Sequence, residues 1–288
     1  MPDGVQLRGP ADGIIFGASV AMNQEFIVVS GRPNLHVYQS SNPYNLVAKF
    51  PIASLSEDSI DAIVISDDNT IATSHVDKND DYWLIIYQYD GTATWHIAEK
   101  FHLASRIEFQ LGSSLAVQGD FLVVGDLENS KAQVFNRVGV KWVQGQTIKE
   151  DSLMFGSSVT IYGDHLAVSS FYGDVFTYML DQHTNTWVGN GNFSVQSAFF
   201  SSLHLDKDIL AITVNNPWNR PDVCGVVYKL STTATNTNNG NVVTTTITGN
   251  TNVVWKEIAL LTTKGDPVTT EHHQGHVGIR KSCFYRTS

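Results

Sequence analysis

Residues 155–170 read FGSSVTIYGDHLAVSS, and nearly the same phrase returns as LGSSLAVQGDFLVVGD from Leu111 and FGASVAMNQEFIVVSG from Phe16. A chain that rewrites one phrase builds one structural unit several times, which limits the available folds more than any other property. Within the phrase Val159 and Ile161 alternate with Thr160 and Tyr162, Gly163-Asp164 interrupts, and an apolar run resumes over residues 166–168. Period-two alternation broken by a Gly-Asp pair predicts a β-hairpin. The same grammar surrounds Gly119-Asp120, Asn23-Gln24-Glu25 and Asp206-Lys207-Asp208, with a weaker copy over residues 63–74.

After each hairpin come a variable loop and a third short apolar run: LHVYQ from Leu35, LIIYQY from Leu84, AQVFN from Ala132, DVFTYM from Asp174 and GVVYKL from Gly225. A fourth run follows, opened by Trp95, Trp142, Trp187 or Trp255. The unit therefore reads as four antiparallel strands, and the tryptophans are expected to pack between neighbouring sheets. From Leu111 to Phe155 and from Phe155 to Phe199 the spacing is 44 residues. Four strands at a period of about 40 to 50 residues predict an all-β fold, a β-propeller of four-stranded antiparallel blades. One propeller domain over residues 1–288 is expected, with units at about 16–58, 59–110, 111–154, 155–198 and 199–263. Residues 264–288 with 1–15 would form a closing blade, giving six, with five or seven still open.

The recurring FG dipeptides, Phe16-Gly17 and Phe155-Gly156, with Leu111-Gly112 in place of a third, resemble the FG-GAP repeat of the integrin α-subunit propeller. VVSG from Val28, VVGD from Val123 and AVSS from Ala167 stand where that repeat has its second element. The resemblance runs from residue 16 to about 261. The fifth copy departs from it: Phe200 replaces the glycine, and a Thr- and Asn-rich insertion precedes its last strand. The resemblance implies an extracellular or surface-associated binding module acting in adhesion. It also implies calcium in some blades, held by acidic loops between strands 1 and 2. Here those connections are short turns with too few oxygen ligands for calcium.

Composition narrows the function classes. The 288 residues are 42% hydrophobic, 10% aromatic and 16% charged, a composition that folds rather than stays disordered. A net charge of −10 repels phosphate backbones, so nucleic acid is not an expected partner. No apolar run approaches the roughly 20 residues of a membrane helix, and no secretory signal is visible in MPDGVQLRGP. Cys224 and Cys283, the only cysteines, either bridge or remain two thiols.

In such a meander the 2-3 connections and the links between blades leave one face, and that face carries the variable loops: SGRPN, SHVDKNDDY, DLENS, SFYGD and NNPWNRPD. Loops held by a rigid scaffold tend to carry function. Trp218 with Asn216, Asn219 and Arg220 combines an aromatic ring with amides and a guanidinium, which suits a glycan or a peptide; the alternative is that the ring folds over a neighbouring blade. Tyr172 is a similar candidate, and Trp83 reads as packed. Asp77, Asn79, Asp80 and Asp81 have metal-like spacing without the following glycine, so Asp77, Asn79 and Asp81 are either a cation site or a solvated acidic loop. His272, His273 and His276 read as a polar tail, and Asn192 opens an NFS sequon that matters only in a secreted protein.

Two functions follow. The first is a non-enzymatic binding or structural module that presents the 2-3 loop face to a protein or glycan and needs no cofactor. The alternative is a glycan-active hydrolase or lyase using Asp58, Asp126, Asp151 or Asp174 at a channel mouth.

Overall fold

A computed structural model of the chain describes residues 16–31, 34–41, 43–51, 59–77, 79–92, 94–105, 114–195, 199–215, 223–231, 254–262 and 268–269. Every regular element among them is a strand. The first sheet runs β1 (Phe16–Met22), β2 (Phe26–Gly31), β3 (Asn34–Gln39), β4 (Leu46–Pro51), and the second β5 (Ser59–Ile65), β6 (Thr70–Val76), β7 (Asp81–Tyr89), β8 (Trp95–Ser105). The third holds β9 (Leu115–Gln118), β10 (Phe121–Asp126), β11 (Lys131–Val138) and β12 (Lys141–Lys149). The fourth holds β13 (Phe155–Tyr162), β14 (His165–Ser170), β15 (Asp174–Asp181) and β16 (Thr186–Ser194). The fifth holds β17 (Phe199–Asp206), β18 (Ile209–Asn215), β19 (Val223–Ser231) and β20 (Val254–Thr262), with β21 (Val268–Thr269) added at its edge. In every sheet the order in space is the order in sequence. The fold is a β-propeller with five four-stranded blades described.

Of the closing blade expected from residues 264–288 and 1–15, only β21 is described. It pairs antiparallel with β20, Ala259 opposite Thr269 and Leu260 opposite Val268, and the rest lies outside the described residues. The chain divides into two compact units, Met1–Glu128 with Gln133–Ile148 and Asn129–Ala132 with Lys149–Ser288. The first carries blades one to three, apart from the first two residues of β11 and the last of β12, and the second carries blades four and five.

The FG dipeptide has a backbone cause. Pairing of β1 with β2 shifts register between Phe16 and Val20, and pairing of β13 with β14 shifts between Phe155 and Ser158. Each shift is a bulge on the first strand, and Gly17 and Gly156 sit in it at φ +85° and +93°, where a Cβ is strained. The aromatic residue before the glycine packs edge-to-face on the third strand of its own blade: Phe155 on Phe176 at 5.3 Å, Phe16 on His36 at 5.4 Å. β17 still bulges between Phe200 and Ser202 although phenylalanine stands in the glycine's place.

A second recurrent bulge lies between strands 3 and 4, at Tyr38, Tyr87, Tyr178 and Tyr228, where Val47, Ala98, Asn190 and Ile258 are the extra residues on the outer strand. The four tyrosines are buried, as is Phe135, which holds the corresponding place in AQVFN. Burial raises the pKa of the Tyr87 phenol to about 12 against a hydrogen bond with Thr73.

Three of the tryptophans lie between blades. Trp95 shares a cluster with Phe26, Val28, Leu35 and Val37 of the first blade and with Ile63, Ile71 and Ile85 of its own. Trp142 packs on Ala72, Leu84 and Ile86 of the second blade, and Trp255 on Ala167, Val175 and Phe193 of the fourth. A sheet that is apolar on both faces must be covered on both, so the second, third and fifth blades each depend on the one before. Hydrogen bonds reinforce this in the second unit, where Ser158 Oγ and Thr160 Oγ1 accept the backbone N–H groups of Leu203 and Leu205, both at 3.0 Å.

Candidate functional site

The Phe171–Tyr172–Gly173 connection leaves β14 with both edge groups engaged. The Phe171 N–H donates to the Met154 carbonyl at 3.2 Å, and the Ser170 hydroxyl accepts the Asp174 N–H at 3.1 Å. Asp174 fixes the adjoining segments through its side chain: one carboxylate oxygen accepts the Ser152 hydroxyl at 2.7 Å and the other the Ser194 hydroxyl at 2.6 Å. Gly173, at φ +108°, supplies the conformation that lets the chain turn back into β15. On this braced loop the Tyr172 ring is 51% exposed and stands edge-on to Phe171 at 5.5 Å. The connector into the blade is tied below it: Ser130 Oγ accepts the Met154 N–H at 3.1 Å, and Tyr178 donates its hydroxyl to Glu150 Oε1 at 2.7 Å. Burial and that carboxylate together hold the Tyr178 phenol well above its ordinary pKa.

The acidic loop between β6 and β7, in the first unit, has a different character. Asp77 Oδ1 accepts the N–H groups of Asn79 at 2.8 Å and Asp81 at 3.1 Å, while Oδ2 accepts the Trp83 indole N–H at 3.1 Å. Desolvation acts against ionisation here, but those donors outweigh it and hold the Asp77 carboxyl below the usual range. Asp81 faces His102, with Oδ1 3.5 Å from Nε2. Asp77 is thus the organising acceptor of a turn, and Trp83 is its partner rather than a free ring. Beside it His75 is 4% exposed, and burial lowers its pKa to about 4, aided by Lys100 and opposed by Asp77.

Of the aromatic residues singled out in the sequence as binding candidates, Tyr172 is described and is exposed. Asn216, Trp218, Asn219 and Arg220 lie outside the described residues, as do Asp58 and the three clustered histidines. Asp126 is buried, at 3% exposure, Asp151 is exposed on the connector after β12, and Asp174 carries the loop-bracing role above. Asn192 is exposed on β16. Cys224 falls on β19 with its side chain outside the description, and Cys283 lies outside altogether.

Sequence reasoning missed the polar chain on the opposite face of the first unit, formed by the 1-2 turns. Asn23 Nδ2 donates to the Ser66 carbonyl at 2.8 Å and to Asn69 Oδ1 at 2.7 Å, and Asn69 Nδ2 donates to Glu25 Oε2 at 3.2 Å. Arg137 then bridges Asp68 at 2.6 Å and Asp120 at 2.7 Å, its guanidinium 5.7 Å from the Trp142 ring. The signal was present as Asn, Asp or Glu in every 1-2 turn, but such residues also serve their own turns.

No family model matches the chain. No curated protein matches it either. Among solved structures it is similar to a functionally unknown protein from Desulfotomaculum acetoxidans, at 14% identity and a TM-score of 0.56, over 77% of this chain and 70% of that one. It also resembles Kluyveromyces lactis Hsv2 (15% identity, TM-score 0.49) and a protein of unknown function from Bacteroides caccae (11%, 0.48), each over 73% of this chain. The chain spans 58% of the Hsv2 chain and 77% of the Bacteroides one. At 14% identity the first likeness shows the fold alone.

Proposed function

We propose that this propeller is a non-enzymatic binding or structural module of the FG-GAP type, which presents its 2-3 loop face to a protein or glycan partner in adhesion or surface assembly outside the cell or at its surface. The observation that carries this reading is Tyr172: a half-exposed aromatic ring on a loop whose neighbours are fixed by Asp174, Ser170 and Met154. A preordered aromatic ring loses little conformational entropy when a partner covers it, and such rings are frequent anchors of binding surfaces. The glycine-bearing bulges at Gly17 and Gly156 support the FG-GAP reading, because they give the dipeptide a structural reason to recur.

Trp218 with Asn216, Asn219 and Arg220 is proposed as the second part of the same face. Calcium at Asp77, Asn79 and Asp81 is no part of the proposal, since the Asp77 oxygens already accept three protein donors. A hydrolase has less support: Asp126 is buried and both Asp174 oxygens accept serine hydroxyls.

The test is a glycan array and a pull-down run with the wild type, Tyr172→Ala and Trp218→Ala. Both variants should lose partner signal while melting as the wild type does. Full retention of the partner by both variants overturns the reading. So does turnover on a glycoside panel that disappears with Asp151→Asn.

A further inference from the structure

On the opposite face of the first unit lies a cavity of about 370 Å³, between the β1-β2 turn and the chain leaving β3. Its lining comprises Gln24, Glu25, Gln39, Ser41, Val47 and Tyr89, over a floor that includes Phe26. Phe26 is 5% exposed and meets Tyr89 and Trp95 edge-to-face at 5.2 and 5.1 Å, so the floor is an aromatic cluster set between two blades.

The walls are fixed from outside. Asn23 Oδ1 accepts the N–H groups of Glu25 at 2.9 Å and Phe26 at 2.8 Å. The Ser40 N–H donates to the Glu25 carbonyl at 2.8 Å, and the Ser40 hydroxyl donates to the Gln24 carbonyl. Asn69, from the next blade, holds one oxygen of the Glu25 carboxylate.

We infer that this cavity is a binding site for a neutral sugar residue, separate from the 2-3 loop face and independent of it. Three features select that ligand class. The lining has no Lys, Arg or His, so the one charged group an anion would meet there is a carboxylate. Two primary amides, a serine hydroxyl and a carboxylate offer several donors and acceptors close together, which match adjacent sugar hydroxyls, whereas a lysine head, a donor only, could pair with Glu25 but would leave the amide N–H groups unused. An exposed ion pair of that kind is worth about 1 kcal/mol or less. Tyr89 and Val47, the latter 37% exposed, give an apolar wall for the C–H face of a pyranose, and the volume lies in the lower part of the range found for small-ligand sites.

The experiment is ligand-observed saturation-transfer NMR on the full chain with galactose, glucose, mannose, N-acetylglucosamine and lactose, alongside a lysine tripeptide. At least one sugar should respond. Val47→Trp, which fills the cavity, should abolish the response, and Gln39→Ala should weaken it about tenfold. Gln39 is exposed, so its variant keeps the test valid if Val47→Trp misfolds. Tyr172→Ala should leave the response intact, which separates this site from the loop face. The inference is overturned if no sugar responds, if the response survives Gln39→Ala unchanged, or if only the lysine tripeptide binds.

Discussion

Trp142 tests whether the third blade leans on the second. It is 2% exposed and is, among the described residues, the largest of the fully buried side chains, wedged against Ala72, Leu84 and Ile86 of the second blade and Leu122, Val124 and Phe135 of its own. Truncation to alanine removes both rings and leaves a cavity lined by two sheets, which costs about 3 to 5 kcal/mol. Loss of the Arg137 guanidinium from beside the ring adds about 0.5 to 1 kcal/mol. The indole Nε1 has no hydrogen-bond partner among the described residues, so the native state already carries the desolvation of that N–H, about 1 to 3 kcal/mol. Phenylalanine would relieve that penalty and leave a smaller cavity, costing about 1 kcal/mol. The expected order is therefore wild type, Trp142→Phe at a net cost below about 1 kcal/mol, then Trp142→Ala far behind. Urea denaturation followed by far-UV circular dichroism reads all three. If the phenylalanine variant falls as far as the alanine variant, the indole N–H is satisfied and the reasoning about its desolvation is wrong.

Glycine supplies a second test. Gly17 and Gly189 both have open space where a Cβ would stand, but only Gly17 has a positive φ, so Gly17→Ala should cost about 1 to 2 kcal/mol and Gly189→Ala should be neutral or slightly stabilising in the same assay. Ser158→Ala and Thr160→Val should each leave a buried N–H of β17 without its acceptor, costing about 1 to 3 kcal/mol and accelerating hydrogen exchange at Leu203 and Leu205. For pH, an unfolded His75 charges near 6.5 while the folded one resists until about pH 4. Its neutral burial therefore contributes full stability above pH 6.5, and that contribution is lost progressively as pH falls toward 4, by up to about 3 kcal/mol. His75→Phe should flatten that acid limb in urea midpoints measured from pH 7 to pH 4, and an unchanged slope would refute the assignment.

What the sequence made legible was whatever every blade needs. The alternation around Gly163-Asp164 and Gly119-Asp120 marked the inner hairpins, since β13 pairs with β14 up to Tyr162 opposite His165 and β9 with β10 up to Gln118 opposite Phe121. Trp95, Trp142 and Trp255, at the start of their fourth strands, marked the contact between blades, because a large ring can be buried only where two sheets meet. Blade number was less legible, because the composite blade was read from termini that lack the repeated phrase. The site resisted for a different reason. A repeat reports the demands common to all blades, whereas a binding surface is built from what differs between them, and there one residue type has several uses. Asp77 read as a potential metal ligand and acts as a turn acceptor, Asp174 read as potentially catalytic and acts as a brace, and Asn23 read only as a turn residue yet bonds across to the next blade. Tyr172 was identified because it stands on a loop rather than in a strand, and it is half exposed. In a propeller, then, the residues that break the repeat's pattern without serving a turn or a blade contact are the ones to test for function.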